Sequence, residues 1–216
     1  MSLRTTLDDL EPHFSKGGKY ESFYALYEAI DTILYTPGKV TAGASHVRDA
    51  VDMKRVMTTV WWCAFFPMLA GMYHVGLQAN LAMDNMGIEG VAGWRGWIIE
   101  LLAGYDADNW WHCLIYGASF YVPIYMVTFI VGGFWEVLFA VKRGHEINEG
   151  FFVTSILFSL ILPATIPLWQ VAIGISFGVV IGKEIFGGVG KNFLNPALTG
   201  RAFIFFCLSL FRLVLN

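Results

Sequence analysis

Residues 56–77 read VMTTVWWCAFFPMLAGMYHVGL and contain no Asp, Glu, Lys or Arg over 22 positions. A helix needs about 20 apolar residues to cross the hydrocarbon core of a bilayer. The whole chain agrees with this segment, since 56% of its 216 residues are hydrophobic, 14% are charged and its mean hydropathy is +0.56. Charge this sparse cannot cover a soluble globule of that length. The sequence therefore predicts an all-α, polytopic membrane protein.

Further apolar segments bring the expected number of transmembrane helices to about four to five. The second span is predicted at about 114–141, the third at 151–168, ending in a turn around Pro163 and Pro167, a short fourth at 170–181, and a fifth from about Ala202. Glycines at four-residue spacing in the fourth span, at 174, 178 and 182, predict the close approach of a neighbouring helix. Residues 78–111, between the first two spans, are polar and rich in glycine, with tryptophan pairs of the kind found at membrane interfaces. This stretch predicts an exposed loop with interfacial anchors.

Residues 1–55 are polar and are predicted to form a cytoplasmic segment, followed by a transmembrane domain over residues 56–216. Apolar side chains recur in the first part at helical spacing, at Tyr20, Phe23, Tyr24, Tyr27, Ile30 and Leu34. This pattern predicts an amphipathic helix that ends at the Thr36-Pro37-Gly38 turn. Its apolar face is expected to lie on the membrane or on the cytoplasmic side of the protein itself.

The basic residues predict the orientation in the membrane. Residues 1–55 hold seven of the fourteen Lys and Arg residues. Lys142 and Arg143 follow the second span, and Lys183, Lys191 and Arg201 follow the fourth, so strict alternation places twelve on one side. Because basic residues gather in cytoplasmic loops, the N-terminus is predicted to be cytoplasmic. The net charge of −3 provides no basic excess, and nucleic acid is not an expected partner.

The sequence contains no pattern typical of a catalytic or metal site. Cys63, Cys113 and Cys207 lie far apart and lack the spacing of a metal centre or a disulfide framework. No dinucleotide-binding glycine motif and no nucleophile-and-base arrangement can be recognised. We therefore predict no catalytic residue and no metal ligand in this chain, and we do not expect NADH to bind to it directly.

Glu136 is the one ionisable residue inside a clearly predicted span, about 9 Å along the helix from the boundary at Lys142. Carboxylates at membrane depth usually face a cavity or a partner and mark paths for ions, protons or ligands. The alternative is that Glu136 reaches interfacial water or pairs with Lys142 or Arg143. Gly132 and Gly133, one turn earlier, either allow close helix packing or leave room for a flat ligand.

The segment 191–196 contains two asparagines three residues apart, followed by a proline. Asn195 is a natural N-cap, since Pro196 then occupies the first helical position. Capping does not explain Asn192. An amide offers both a hydrogen-bond donor and an acceptor, which the edge of a flavin ring requires.

Several long motifs are similar to those of one family of membrane proteins. They are FYALYEA at 23–29, YTPG at 35–38, SHVRD at 45–49, GGFWEVLF at 132–139, HEINEGFFVTS at 145–155 and GKNFLNPAL at 190–198. The chain resembles the N-terminal half of the B subunit of the sodium-translocating NADH:quinone reductases over residues 7–206. The D subunit of the Rnf complex is related, but the N-terminal YTPG segment fits the sodium-translocating enzymes better.

The resemblance implies a multi-pass subunit of a six-subunit complex in the bacterial inner membrane. Such a complex passes electrons from NADH to ubiquinone through flavins, including FMN and riboflavin, and exports Na⁺. Gly132, Gly133 and Glu136 match family positions tied to quinone binding, and Asn192 and Asn195 match positions beside riboflavin. The alternative is a channel or carrier for a small solute, since short glycine-rich spans also suit transporters. A flavin absorbance band in the purified protein would favour the redox subunit.

Two departures from the family pattern also lead to expectations. The Ser-Gly-Ala-Thr motif whose threonine carries covalent FMN in the family does not occur, so we expect no covalent FMN on this chain. The chain also stops where the family continues for about half its length, and residues 207–216 do not match. A truncation or a shifted reading frame is the hypothesis that explains this tail.

Overall fold

In the computed structural model of the chain, the structure describes residues 3–15, 17–35, 51, 53–144, 147 and 149–208. Within these residues the chain forms eight α-helices and no β-strand. The helices are α1 (Leu3–Phe14), α2 (Tyr24–Leu34), α3 (Met53–Met86), α4 (Trp94–Leu102), α5 (Trp110–Arg143), α6 (Gly150–Ile161), α7 (Leu168–Val180) and α8 (Pro196–Phe203). The predicted all-α fold is confirmed.

Three segments of the described chain are long and apolar enough to cross a membrane. Helices α3 and α5 have 34 residues each, or about 51 Å, which exceeds a hydrocarbon core of about 30 Å. The third is the 19-residue stretch Leu168–Phe186, which contains α7. Helix α6 and the stretch Pro196–Cys207 are shorter apolar helices. These five segments agree with the four to five spans expected from sequence.

The prediction of an exposed loop over residues 78–111 is wrong for most of its length. Helix α3 continues nine residues beyond Leu77 to Met86, and α4 occupies Trp94–Leu102. Met83 of α3 and Ile99 of α4 are buried together against α5. The sequence did not predict these apolar contacts, because the polar residues and glycines of residues 78–111 give this stretch the composition of a loop.

The turn predicted around Pro163 and Pro167 is confirmed, since the Ile166 N–H donates to the Pro163 carbonyl at 3.1 Å. Helix α6 ends before it at Ile161, because Pro163 disfavours the helical conformation of the residue before it and Leu162 is extended. The fifth span, expected from about Ala202, belongs to a helix that already begins at Pro196. Its N-cap at Asn195 is the one that the sequence predicted.

The amphipathic N-terminal helix is confirmed as α2, and Tyr35 after it is extended. The predicted turn at residues 36–38 lies outside the described residues. Tyr27 of the predicted apolar face is buried and Ile30 of that face is exposed, while the polar Glu28 and Thr32 are buried as well. That the exposed part of the apolar face lies on the membrane stays a prediction. The polar face turns inward because Lys54 and Glu149 supply it with charged partners.

Helix α1, which the sequence did not predict, packs against α2. The Tyr27 hydroxyl donates a hydrogen bond of 2.9 Å to the Leu7 carbonyl. Burial, with a smaller contribution from Asp31, raises the pKa of Tyr27. The phenol therefore stays protonated and able to donate at neutral pH.

Close contacts between helices hold the membrane part together. A Cβ atom at Gly76 of α3 would overlap the Cys113 carbonyl of α5, and one at Gly117 of α5 would overlap the Met72 carbonyl of α3. The predicted close approach along the α7 glycines is confirmed as well, because a Cβ at Gly178 would overlap the Pro196 carbonyl of α8. These backbone contacts fix how α5 and α7 present their polar side chains.

Candidate functional site at the ends of α5 and α7

Glu136 lies in α5 two turns before its end and is 6% exposed. Its carboxylate accepts a hydrogen bond from the Lys183 ammonium, which is itself 3% exposed. Lys183 follows α7 and is 47 residues away in sequence. The partner suggested by sequence, Lys142 or Arg143, is therefore wrong, and so is the alternative of a carboxylate that reaches interfacial water.

The Glu136–Lys183 pair is part of a longer chain of charges. The Lys183 Nζ lies 3.3 Å from Glu184 Oε1, and the Arg143 Nη1 donates to Glu184 Oε2 at 2.7 Å. A second nitrogen of Arg143 donates to the Glu184 carbonyl at 2.6 Å. Two acids thus alternate with two bases, and their formal charges cancel. We call Glu136, Lys183, Glu184 and Arg143 the charge relay of the α5–α7 end.

Removing one member of such an array strongly destabilises the fold, although the intact array contributes little to the free energy of folding. Two buried charges lose their hydration on folding, and their attraction roughly offsets that loss. A single member left without its partner is a bare charge in an apolar interior. Glu136 is the member whose charge is most easily left unpaired, because Lys183 alone forms an ion pair with it among the described residues. Glu184, by contrast, pairs with both Lys183 and Arg143.

Gly132 and Gly133 differ in their surroundings. A Cβ at Gly132 would lie 2.5 Å from Cε2 of Phe151 in α6 and 3.0 Å from Cγ1 of Ile175 in α7. A Cβ at Gly133 would lie 3.6 Å from the same Phe151 ring, an ordinary contact. Gly132 therefore allows close packing of α5 against α6 and α7, while space for one more methyl group remains at Gly133.

The two asparagines at the start of α8 have different hydrogen bonds. The Asn195 side chain accepts hydrogen bonds from the backbone N–H groups of Ala197 and Leu198, at 3.0 and 3.2 Å. The Asn192 Nδ2 donates to the Leu194 carbonyl at 2.7 Å, a local bond that sequence reasoning missed. No described residue donates a hydrogen bond to the Asn192 amide oxygen, so that oxygen remains open to a ligand.

The α7–α8 connection, residues 181–195, links the two groups of predicted site residues. Lys183 and Glu184 lie near its start and contact α5. Asn192 and Asn195 lie near its end, before α8. Within it the rings of Phe186 and Phe193 lie 4.6 Å apart, edge to face. The connection thus contains both asparagines and the two α7-side members of the charge relay.

Sequence reasoning missed Lys183 and Glu184. The sequence assigned Lys183 to the loop after the fourth span, and it does lie in the segment between α7 and α8, but its side chain is buried. Arg201 was assigned to the same loop, yet it lies within α8. A weak signal for Lys183 was present, since it stands only two residues after the apolar Ile181 at the end of a glycine-spaced span.

The motifs that build this site are those of a known family. A family model described as NQR2, RnfD, RnfE matches residues 40–211. The chain belongs to this family. Helices α3 to α8, the charge relay and both asparagines lie inside the part of the NQR2, RnfD, RnfE pattern that the chain matches.

Similar proteins come from several bacteria, and each is named as the B subunit of a Na⁺-translocating NADH-quinone reductase. The protein of Chromohalobacter salexigens is 66% identical over 207 residues, covering 95% of this chain and 50% of that protein. Those of Stutzerimonas stutzeri and Pseudomonas paraeruginosa are 64% and 61% identical, over 95% of this chain and 52% of each relative. The chain spans about half the length of the curated relatives that it matches.

Proposed function

We propose that this chain serves as a membrane subunit of a Na⁺-translocating NADH:ubiquinone reductase, where it helps to bind ubiquinone and riboflavin. The observation that carries the proposal is the 66% identity to the B subunit of such an enzyme, which extends over 95% of this chain. The partners are then the other members of a six-subunit complex, and the chemistry belongs to their cofactors while the protein supplies position and electrostatics. FMN and the coupling of electron transfer to Na⁺ export belong to that complex.

We place the N-terminus and the charge relay on the cytoplasmic side of the bacterial inner membrane. Glu28 of α2 pairs with Lys54 at the start of α3, and Thr32 donates to Glu149 beside the start of α6 at 3.0 Å. These contacts bring α2 to one end of the membrane helices. Basic residues are frequent at that end, as expected of a cytoplasmic face.

Gly133 and Glu136 are proposed to border the quinone. The Lys183 ammonium and the Glu136 carboxylate offer a donor and a proton acceptor within one buried pair. A quinone oxygen that approaches the pair would accept a hydrogen bond from the Lys183 ammonium, which would pass it a proton as the ring is reduced, while the Glu136 carboxylate holds the ammonium in place. Gly132 supports this arrangement by packing α5 against α6 and α7.

In the assembled complex, Glu136→Gln is expected to raise the apparent KM for ubiquinone roughly tenfold, about 1.4 kcal/mol of lost interaction. The amide keeps the shape of the side chain but removes the charge that orients Lys183. NADH oxidation by an artificial acceptor at the first flavin should stay normal. Glu100→Gln, an exposed change in α4, is the matched control. Unchanged quinone kinetics in Glu136→Gln would remove this residue from the quinone site.

Gly133→Ala tests the steric part of the same proposal. Gly132→Ala is unsuitable because its methyl group would meet the Phe151 ring. At Gly133 the added methyl group makes ordinary contacts, so the helices should pack as before. The methyl group would instead take up space beside a flat ligand, so the variant should bind quinone-site inhibitors more weakly while the complex still assembles.

For riboflavin, we expect Asn192→Ala to lose more flavin from the assembled complex than Asn195→Ala does. The Asn192 oxygen is open to a ligand, whereas both contacts of the Asn195 oxygen are made to the helix it caps. Asn195→Ala should instead lower the stability of α8 by about 1 kcal/mol. Extracted non-covalent flavin is the quantity to measure. If both variants retain equal flavin, the amides are structural residues only.

A further inference from the structure

The break between α6 and α7 lies at membrane depth. Helix α6 has 12 residues and is about 18 Å long, well short of a core of about 30 Å. Pro163 and Pro167 keep the following segment out of a helix. Non-helical backbone at this depth is tolerated where it is buried in protein or lines a cavity. A cavity of about 200 Å³ is present at the break, between α7, α8 and the residues 163–167.

Arg201 of α8 lies on the wall of this cavity. Its Nη1 donates a hydrogen bond of 2.7 Å to the Ile161 carbonyl at the end of α6. None of the carboxylates in the described part of the chain forms an ion pair with it. Charged side chains within membrane segments pair with one another or with backbone carbonyls. The guanidinium therefore has a hydrogen-bond partner but lacks a counter-charge among the described residues.

Gln170 of α7 also lines the cavity and is 7% exposed. Its side-chain amide has no hydrogen-bond partner among the described residues. The amide atoms of Gln170 are not among the fully buried polar atoms that lack a partner, so a ligand or a water molecule in the cavity can pair with them. This amide stands on the same cavity wall as the unneutralised guanidinium.

The N-terminus of α7 adds to the positive potential of the cavity. This helix has 13 residues, and its N-cap Pro167, which lines the cavity, provides no side-chain cap. The first N–H groups of a helix and its dipole favour a negative charge. A water molecule would satisfy Gln170, but it would leave Arg201 without a counter-charge.

We propose that the cavity at the α6–α7 break is an oxyanion-binding site, in which Arg201 and Gln170 hold a carboxylate or a phosphate group. The volume suffices, since a water molecule takes about 30 Å³ of liquid and a carboxylate or phosphate group is only a few times larger. The oxyanion comes either from a small carboxylate in the aqueous phase or from the headgroup of a phospholipid. The proposal is independent of the quinone and riboflavin sites at the ends of α5 and α7.

The test uses the purified chain in a detergent without phosphate, dodecyl maltoside, with thermal unfolding followed by tryptophan fluorescence. Sodium formate is compared with sodium chloride at equal ionic strength, and phosphatidylglycerol is titrated separately. A ligand at a hundred times its Kd should raise Tm by about 5–10 °C in a saturable manner. A rise with formate identifies an aqueous carboxylate, and a rise with phosphatidylglycerol identifies a lipid headgroup.

The variants decide whether the rise comes from this cavity. Gln170→Leu removes only the amide, and Arg201→Gln removes the charge; both should abolish the ligand-dependent rise in Tm whatever their own Tm is. Arg55→Gln is the matched control, because the Arg55 Nη1 also donates to a carbonyl, that of Ile33, outside the cavity. The proposal is overturned if neither probe raises Tm, or if Gln170→Leu responds as the wild type does.

Discussion

Lys183→Met is expected to lower the free energy of unfolding by about 3–5 kcal/mol, because it leaves the buried Glu136 carboxylate without its partner. The double variant Glu136→Met/Lys183→Met should recover most of that loss, since an apolar pair of similar volume often replaces a buried ion pair at little cost. Unfolding by sodium dodecyl sulfate in mixed micelles measures both. The two results together separate the penalty of a bare charge from the net contribution of the pair.

Lys142→Met is the matched control for this experiment. Lys142 lies near the end of α5, as Arg143 does, but its side chain is exposed. Its replacement should change the free energy of unfolding by no more than about 0.5 kcal/mol. A Lys183→Met protein as stable as the Lys142→Met protein would show that water or another group solvates Glu136.

Gly76→Ala is expected to destabilise the protein by more than about 3 kcal/mol, the upper end of the usual cost of overpacking. The added methyl group would overlap the Cys113 carbonyl of α5. A backbone carbonyl cannot rotate away as a side chain can, so α3 and α5 must separate along their crossing. Thermal unfolding of the purified variant, or its failure to accumulate in membranes, reports the effect.

The control for Gly76→Ala is Gly71→Ala, five residues earlier on the same helix. Apart from the adjoining residues and backbone of α3 itself, no described atom lies within 4 Å of a Cβ built at Gly71. Alanine is the better helix former there, so this change should be neutral or stabilising by up to about 1 kcal/mol. Equal stability of the two variants would mean that the α3–α5 contact can relax.

Local patterns in the sequence predicted much of the fold. The uncharged run at 56–77 predicted α3, and the Asn195-Pro196 pair predicted the start of α8, because hydropathy and capping depend on neighbours along the chain. The turn around Pro163 and Pro167 was predicted for the same reason, since proline restricts the backbone next to it. The fold of 78–102 was missed because an interfacial helix and a loop have similar compositions.

The candidate site was predicted in part. Sequence identified Glu136 as an expensive carboxylate and Asn195 as a cap, and both roles depend on a single helix. Whether Gly133 and Asn192 contact a ligand stays a prediction. The burial of the polar face of α2 was not predicted, because a polar face turns inward only when another helix supplies partners such as Lys54.

The sequence by itself determined the membrane class of the protein, its family, and the presence of a carboxylate within α5. Tertiary structure alone decided that Lys183 neutralises this carboxylate and that Arg201 reaches the end of α6. The physical reason is distance along the chain, since these partners are 47 and 40 residues apart. A basic residue beside an apolar span has the same local pattern in a loop and in a buried pair. Only the packing of α7 and α8 against α5 and α6 distinguishes the two.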